Sequence, residues 1–141
     1  MIIILVRHTR AGDRSKWKGD DRLRPLDKKG RRQAEGLVEL LAPYPADRIL
    51  SSPYVRCVQT VEPLAGAREL PLEQEEALAE GRTRTEVLAL LHAMEAQCPV
   101  VCTHGDVVVE LLGGELRKGE TQVLELEGGK LRQRERLPRP H

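Results

Sequence analysis

Met1 to Val6 is an unbroken apolar run dominated by isoleucine and valine, the pattern of a strand buried on both faces of a sheet. It is too short to cross a bilayer. The run gives way at once to Arg7-His8-Thr9 and then to small and polar residues. From Asp13 to Arg24 no apolar period survives, and this stretch, with its lone Trp17, reads as a loop. Pro25-Leu26-Asp27 opens a helix. Asp27 is a suitable N-cap, and Ala34, Leu37, Val38 and Leu41 recur at helical spacing as far as Pro43. Gly30 in the first turn costs helix propensity, which points to close packing there.

Arg48 to Ser52 forms a second short strand, and Ser52-Pro53 reads as a helix start with serine as N-cap and proline at the first helical position. That helix places Arg56 in its first turn, with Thr60 one turn on along the same face. Ala67 to Leu72 reads as a short edge strand because of Pro71. The acidic stretch Glu73 to Glu80 reads as a loop. Thr83-x-x-Glu86 is a capping box, and Val87, Leu90, Leu91 and Met94 form the buried stripe of the helix it starts. His92 falls off that stripe. Pro99 to Thr103 is another buried strand, and it too ends in a histidine, His104-Gly105-Asp106. A short helix follows to Leu112 and stops at Gly113-Gly114. Thr121–Leu126 and Lys130–Leu137 flank Gly128-Gly129, the pattern of a hairpin. Pro138 to His141 reads as a frayed tail.

Strand and helix alternation with short connections implies an α/β fold. We expect three layers, α/β/α, with a mostly parallel central sheet and a C-terminal β-hairpin. At 141 residues the chain reads as one domain, residues 1–141. Phenylalanine is absent, with one Trp and two Tyr, so the core is aliphatic and no aromatic platform exists for single-stranded nucleic acid. A net charge of +1 removes the polycation argument for nucleic acid as well. No segment suits a membrane helix or a signal peptide, which makes the cytoplasm the expected location. Cys57, Cys98 and Cys102 form neither an even disulfide set nor a CxxC pair and read as buried small hydrophobes.

In such a sheet the ligand site lies beyond the carboxyl ends of the strands. Three strands then bring Arg7-His8, Ser51-Ser52 and His104 to one edge, with Arg56 at the adjoining helix start. Neither GxxxxGK nor GxGxxG is present, and no HxH, HExxH or CxxC supports a metal, so no metal or cofactor is expected. Two histidines and two arginines at one edge suit phosphoryl transfer. A neutral imidazole attacks phosphorus, cationic clamps hold the phosphoryl oxygens, and an acid protonates the leaving oxygen. His8 is the candidate nucleophile, Arg7, Arg56 and His104 the clamps, and Glu80 the acid. Asp13 to Arg32 carries nine Lys/Arg against four Asp. Such a run is either a solvated face or a rim that attracts anions, with Lys16 and Lys18 as candidate substrate contacts.

LVRHTRAG, SSPYVRCVQT, ALAEG and VVCTHGD resemble, in order, the signature segments of the histidine phosphatase (phosphoglycerate mutase-like) superfamily. The resemblance runs from Met1 to about Leu112. It implies a nucleophilic His8, a phosphate pocket of Arg7, Arg56 and His104, and Glu80 in the acid position. RHTRAG is similar to the RHAxAG form of the short, SixA-type branch. Thr9 stands where the mutase form has glycine, and Asp13 and Ser15 are the nearby polar groups. KWKGDDRLRPLDKKGRRQA and LRKGETQVLEL resemble the histidine-phosphatase domain that follows a Nudix domain in some actinobacterial MutT-type hydrolases. No Nudix box is present, so a Nudix-type partner would be a separate protein. The expected substrate is a phosphohistidine protein or a phosphorylated small molecule. A nucleotide would use the Arg14–Arg24 loop, with Trp17 against its base. The alternative is a non-catalytic phosphate- or phosphoprotein-binding module on the same fold. Both histidines and both arginines being present argues for the enzyme.

Overall fold

The alternation of side chains along the first strand builds the core. In the computed structural model, which describes residues 1–141, β1 (Ile2–Arg7) points Ile4 and Val6 to one face of a sheet and Ile3 and Leu5 to the other. All four side chains are wholly buried. The other strands are β2 (Arg48–Ser51), β3 (Leu72–Gln74), β4 (Pro99–Thr103), β5 (Thr121–Glu127) and β6 (Lys130–Leu137). The single sheet runs β3-β2-β4-β1-β5-β6. Its first four strands are parallel, and β5 and β6 are antiparallel additions, β5 on β1 and β6 on β5.

Helices α1 (Lys28–Leu40) and α2 (Val55–Arg68) cover the Ile4 face through Leu37, Val61 and Leu64. Helices α3 (Arg84–Ala93) and α4 (Gly105–Leu112) cover the Ile3 face through Val87, Leu91, Val107 and Leu111. The result is the three-layer α/β/α fold with a C-terminal hairpin. No helix is long and apolar enough to cross a membrane.

Local signals explain most element ends. Asp27 accepts the Gly30 amide at 2.8 Å as the N-cap of α1. The Thr83–Glu86 capping box starts α3. Gly30 is demanded by packing, because a Cβ there would lie 1.8 Å from the Arg10 carbonyl oxygen. The first turn of α1 therefore sits directly on the chain leaving β1. Gly30→Ala should cost about 3 kcal/mol, read as a lowered urea midpoint at unchanged slope.

Three boundaries differ from the pattern reading, each for a physical reason. Ser52 does not cap α2. Its hydroxyl is drawn to His104, and the helix starts at Val55 with Tyr54 as its N-cap and Pro53 outside it. The segment Ala67–Leu72 is not a strand. Helix α2 runs on to Arg68, Glu69 turns left-handed at φ 54°, and the edge strand is Leu72–Gln74, which takes the first residues of the acidic stretch. The C-terminal tail is not frayed, since Pro140 packs against Gly36 of α1 and Arg139 against Gly119.

Candidate active site

Strands β1, β2 and β4 are adjacent and parallel, so their carboxyl ends share one edge. Arg7 closes β1, His8 follows it, Ser52 follows β2 and His104 follows β4. A cavity of about 930 Å³ opens at this edge, lined among others by Arg7, His8, Arg10, Arg14, Glu80 and Lys118.

His8 is 5% exposed. Its Nδ1 lies 2.8 Å from the Thr9 carbonyl oxygen. A carbonyl only accepts, so Nδ1 carries the proton and donates. Nε2 is left with its lone pair. Burial above all, then the charges of His104, Arg56 and Arg7, outweigh the Thr9 bond and lower the His8 pKa from 6.5 to about 3. The imidazole therefore stays neutral at physiological pH. The unfolded chain protonates His8 below pH 6.5 while the folded chain does not until about pH 3. Stability contributed by this group is complete above 6.5 and declines as pH falls, at up to about 1.4 kcal/mol per pH unit. Urea unfolding in stepped acidic buffers should show this slope, and His8→Asn should lose it.

Thr9 does not face the cavity. It is wholly buried; its amide donates to Thr60 Oγ1 at 3.0 Å and its hydroxyl to the Gly30 carbonyl at 2.8 Å. It thus ties the end of β1 to α1 and α2. Of the two residues placed on one face of α2, Thr60 meets this junction and Arg56 turns to Asp21 and Glu80.

The two arginines are held differently. Arg7 Nη1 donates to the Leu116 carbonyl at 2.7 Å, and its guanidinium lies flat on Gly105, where a Cβ would come 2.7 Å from Cζ. Arg56 is wholly buried behind the cavity wall. Its Nη1 donates to the Asp21 carbonyl at 2.9 Å, and its Nη2 donates to Asp21 Oδ2 at 3.1 Å and Glu80 Oε1 at 2.8 Å. In both residues the Nε–H is buried without an acceptor. Buried donors without partners are rare in folded proteins, and a catalytic role or a bound ion is among the reasons for one.

His104 is 1% exposed and caps α4. Its Nε2 lies 2.8 Å from Ser52 Oγ, and its ring stands edge-on to His8 with centroids 5.5 Å apart. Its Nδ1 is 3.6 Å from Glu80 Oε1. Glu80 is held over the site from a second side, because the next amide, of Gly81, donates to Asp106 at the start of α4 at 2.7 Å. Cys57 packs with its Sγ 3.5 Å from His104 Nε2. All three cysteines are free thiols and buried. No three His, Cys, Asp or Glu side chains gather as a metal site.

The basic stretch divides. Arg22 is spent on Glu76 and on the Tyr54 ring, and Arg24 on Asp21 and the Gly12 carbonyl. Arg14 reaches Glu80 at 3.0 Å on the cavity wall. Lys16 and Lys18 are exposed and do not line the cavity; nor does Trp17, whose indole donates to the Asp20 carbonyl. His92 is exposed on the outer face of α3. The sequence pattern brings Ser52 to this edge and sets Arg14 in the loop offered to a nucleotide, but gives Asp21, Arg14 and Lys118 no individual role. Ser52 gave the signal of a helix cap, and the other three join the site only through distant segments.

Residues 3–87 match the family model described as the histidine phosphatase superfamily (branch 1). The chain belongs to the histidine phosphatase superfamily. Among relatives of this superfamily member, an 8-oxo-(d)GTP phosphatase of Mycolicibacterium smegmatis is 40% identical across 92% of the chain. The chain spans 45% of that protein's length. The fold is shared with the protein histidine phosphatase SixA, solved with tungstate, at a TM-score of 0.83 and 23% identity, covering 97% of this chain and 96% of that one. It is also shared with the α-ribazole phosphatase of Shigella flexneri, at a TM-score of 0.78 and 14% identity over 95% of each chain.

Proposed function

We propose that this histidine phosphatase hydrolyses a phosphorylated substrate without a metal, passing the phosphoryl group through Nε2 of His8. The observation that carries the reading is the state of His8: neutral, its Nδ1 proton fixed on the Thr9 carbonyl, its Nε2 free beside the cavity. An imidazole so held is ready to attack phosphorus with no proton to lose first. Arg7 and Arg56 each keep a buried Nε–H for the phosphoryl oxygens. His104 adds a donor at one side, held in line by Ser52. These groups stabilise charge as the phosphoryl group transfers.

Glu80 serves as the proton carrier, giving a proton to the leaving oxygen and later taking one from water. Its carboxylate sits among Arg14, Arg56 and His104, where it supplies the negative charge that substrate phosphate will bring. Binding therefore exchanges one anion for another at this point.

The cavity admits a phosphorylated small molecule, and its open mouth admits a phosphohistidine on a protein surface. The similarity to a protein named for 8-oxo-(d)GTP favours a nucleotide among these. A Nudix-type hydrolase is the corresponding candidate partner. Hydrolysis of p-nitrophenyl phosphate in excess EDTA, wild type beside His8→Ala, tests the reading. Activity should survive the chelator and vanish in the variant. Loss of wild-type activity on chelation would overturn it.

A further inference from the structure

The cavity wall is mostly a set of closed ion pairs. Arg10 meets Asp27 at 2.9 Å, Arg14 meets Glu80 at 3.0 Å, and Arg24 meets Asp21 at 2.9 Å. Arg7 and Lys118 are the two cations in this wall with no carboxylate within ion-pair distance. Arg7 is engaged by the transferred phosphoryl group in the reading above. Lys118 has no part in that chemistry.

Its position is nonetheless built rather than incidental. Two residues before it, buried Leu116 offers its carbonyl to Arg7. One residue after it, the Gly119 amide donates to the carbonyls of both Arg7 and His8 at 3.0 Å each. Gly119 reaches them with φ at +84°, a conformation that favours glycine. Around them Arg117 and Glu120 close a reciprocal turn: the Arg117 amide donates to the Glu120 carboxylate at 2.5 Å, and the Glu120 amide donates to the Arg117 carbonyl at 2.9 Å. Lys118 is thus clamped on both sides to the strand end that carries the nucleophile. Lys118 is exposed at the cavity rim, and partial desolvation there, followed by the charges of Arg7, Arg24, Arg10 and Arg14, lowers its pKa. That is the condition of a cation placed among cations.

We propose that Lys118 binds a second phosphate of the substrate, which makes the preferred substrate a terminal phosphoanhydride of the nucleoside diphosphate class. This rests on the phosphatase reading above. His8 Nε2 forms a bond to the terminal phosphorus as the bond from that phosphorus to the bridging oxygen breaks. The bridging oxygen departs with the electron pair as an oxygen of the inner phosphate, which the lysine ammonium neutralises. Water then displaces the histidine, the N–P bond breaks, and orthophosphate and one proton are released. A phosphate leaving group is a stable anion, so a fixed cation beside it assists departure as a proton would.

The test compares wild type, Lys118→Ala, Lys118→Arg and the distant surface variant Lys130→Ala. Turnover is measured on ADP and on p-nitrophenyl phosphate, and binding by calorimetry with inorganic pyrophosphate and orthophosphate. Lys118→Ala should lower kcat/KM for ADP and weaken pyrophosphate binding by about 10- to 100-fold each. Its effect on the one-phosphate ligands should stay within about threefold, and arginine should restore most of the loss. Equal losses on one- and two-phosphate ligands, or none on either, overturn the subsite. Should p-nitrophenyl phosphate be hydrolysed through His8 with no Lys118-dependent gain on ADP or pyrophosphate, the subsite fails and the phosphatase reading stands. Should wild type hydrolyse neither substrate, the phosphatase reading fails, and the pyrophosphate titration still decides the role of Lys118.

Discussion

His8→Ala should lower turnover of any accepted phosphate ester by about 10⁴-fold or more and abolish trapped phosphoenzyme. The expected loss is large because no neighbouring group can take over. The Ser52 hydroxyl is committed to His104, Cys57 lies behind the same ring, and neither lines the cavity. Several carboxylates do line it, and a phosphorylated carboxylate would be a different intermediate. The two are told apart by chemistry. Phosphohistidine survives base and is lost in acid, whereas an acyl phosphate is lost in base. Rapid quench of wild type with a labelled substrate should give base-stable, acid-labile phosphate, and His8→Ala should give none. Base-labile label, or label that persists in the variant, would move the nucleophile elsewhere.

Arg56→Ala should cost both stability and activity. A guanidinium with no exposed surface holds three oxygen atoms from two segments far apart in sequence, Asp21 and Glu80. Its removal empties a buried site and takes from Asp21 and Glu80 their shared buried partner, leaving Arg24 and Arg14 as their remaining arginine contacts. Breaking a buried ion pair from one side commonly costs about 3–5 kcal/mol, and denaturant unfolding followed by circular dichroism should show a loss in that range. The same change deletes a phosphoryl clamp, for which a drop in kcat of about 10³-fold is expected. Arg56→Lys separates the two effects. The ammonium restores charge and part of the stability but cannot reach Asp21 and Glu80 together, so activity stays low. Wild-type stability in Arg56→Ala would show that the pairs are open to water.

The main layers of the fold could be read from the chain because their signals are local. Six residues of unbroken apolar character can only be buried on both faces, and β1 is. A glycine where a helix wants alanine announced contact, and Arg10 is in contact with Gly30. The family segments named residues at one sheet edge, and His8, Arg56, Glu80 and His104 do meet there. What could not be read is what depends on competition between distant groups. Ser52 has every local reason to cap a helix, yet an imidazole 52 positions away takes its hydroxyl. The lysines of the basic stretch looked equivalent to its arginines. Only the fold shows that Arg14 turns inward to Glu80 while Lys16 and Lys18 stay outside, and that Lys118, from the far end of the chain, joins Arg7 as an unpaired cation at the cavity. Charge is visible in a sequence; which partner claims it is not.

The Nδ1 proton of His8 rests on a main-chain oxygen rather than on a side chain. No substitution can delete a backbone carbonyl. The reactive form of the nucleophile is therefore insulated from mutation at its own hydrogen-bond partner. It can be disturbed only by changes that shift the path of the chain there, at the Thr9–Thr60 contact or beneath it at Gly30. Inherited variation in this protein should thus reshape the cavity rim freely, while inactivating changes outside the charged residues gather at these few inconspicuous small ones.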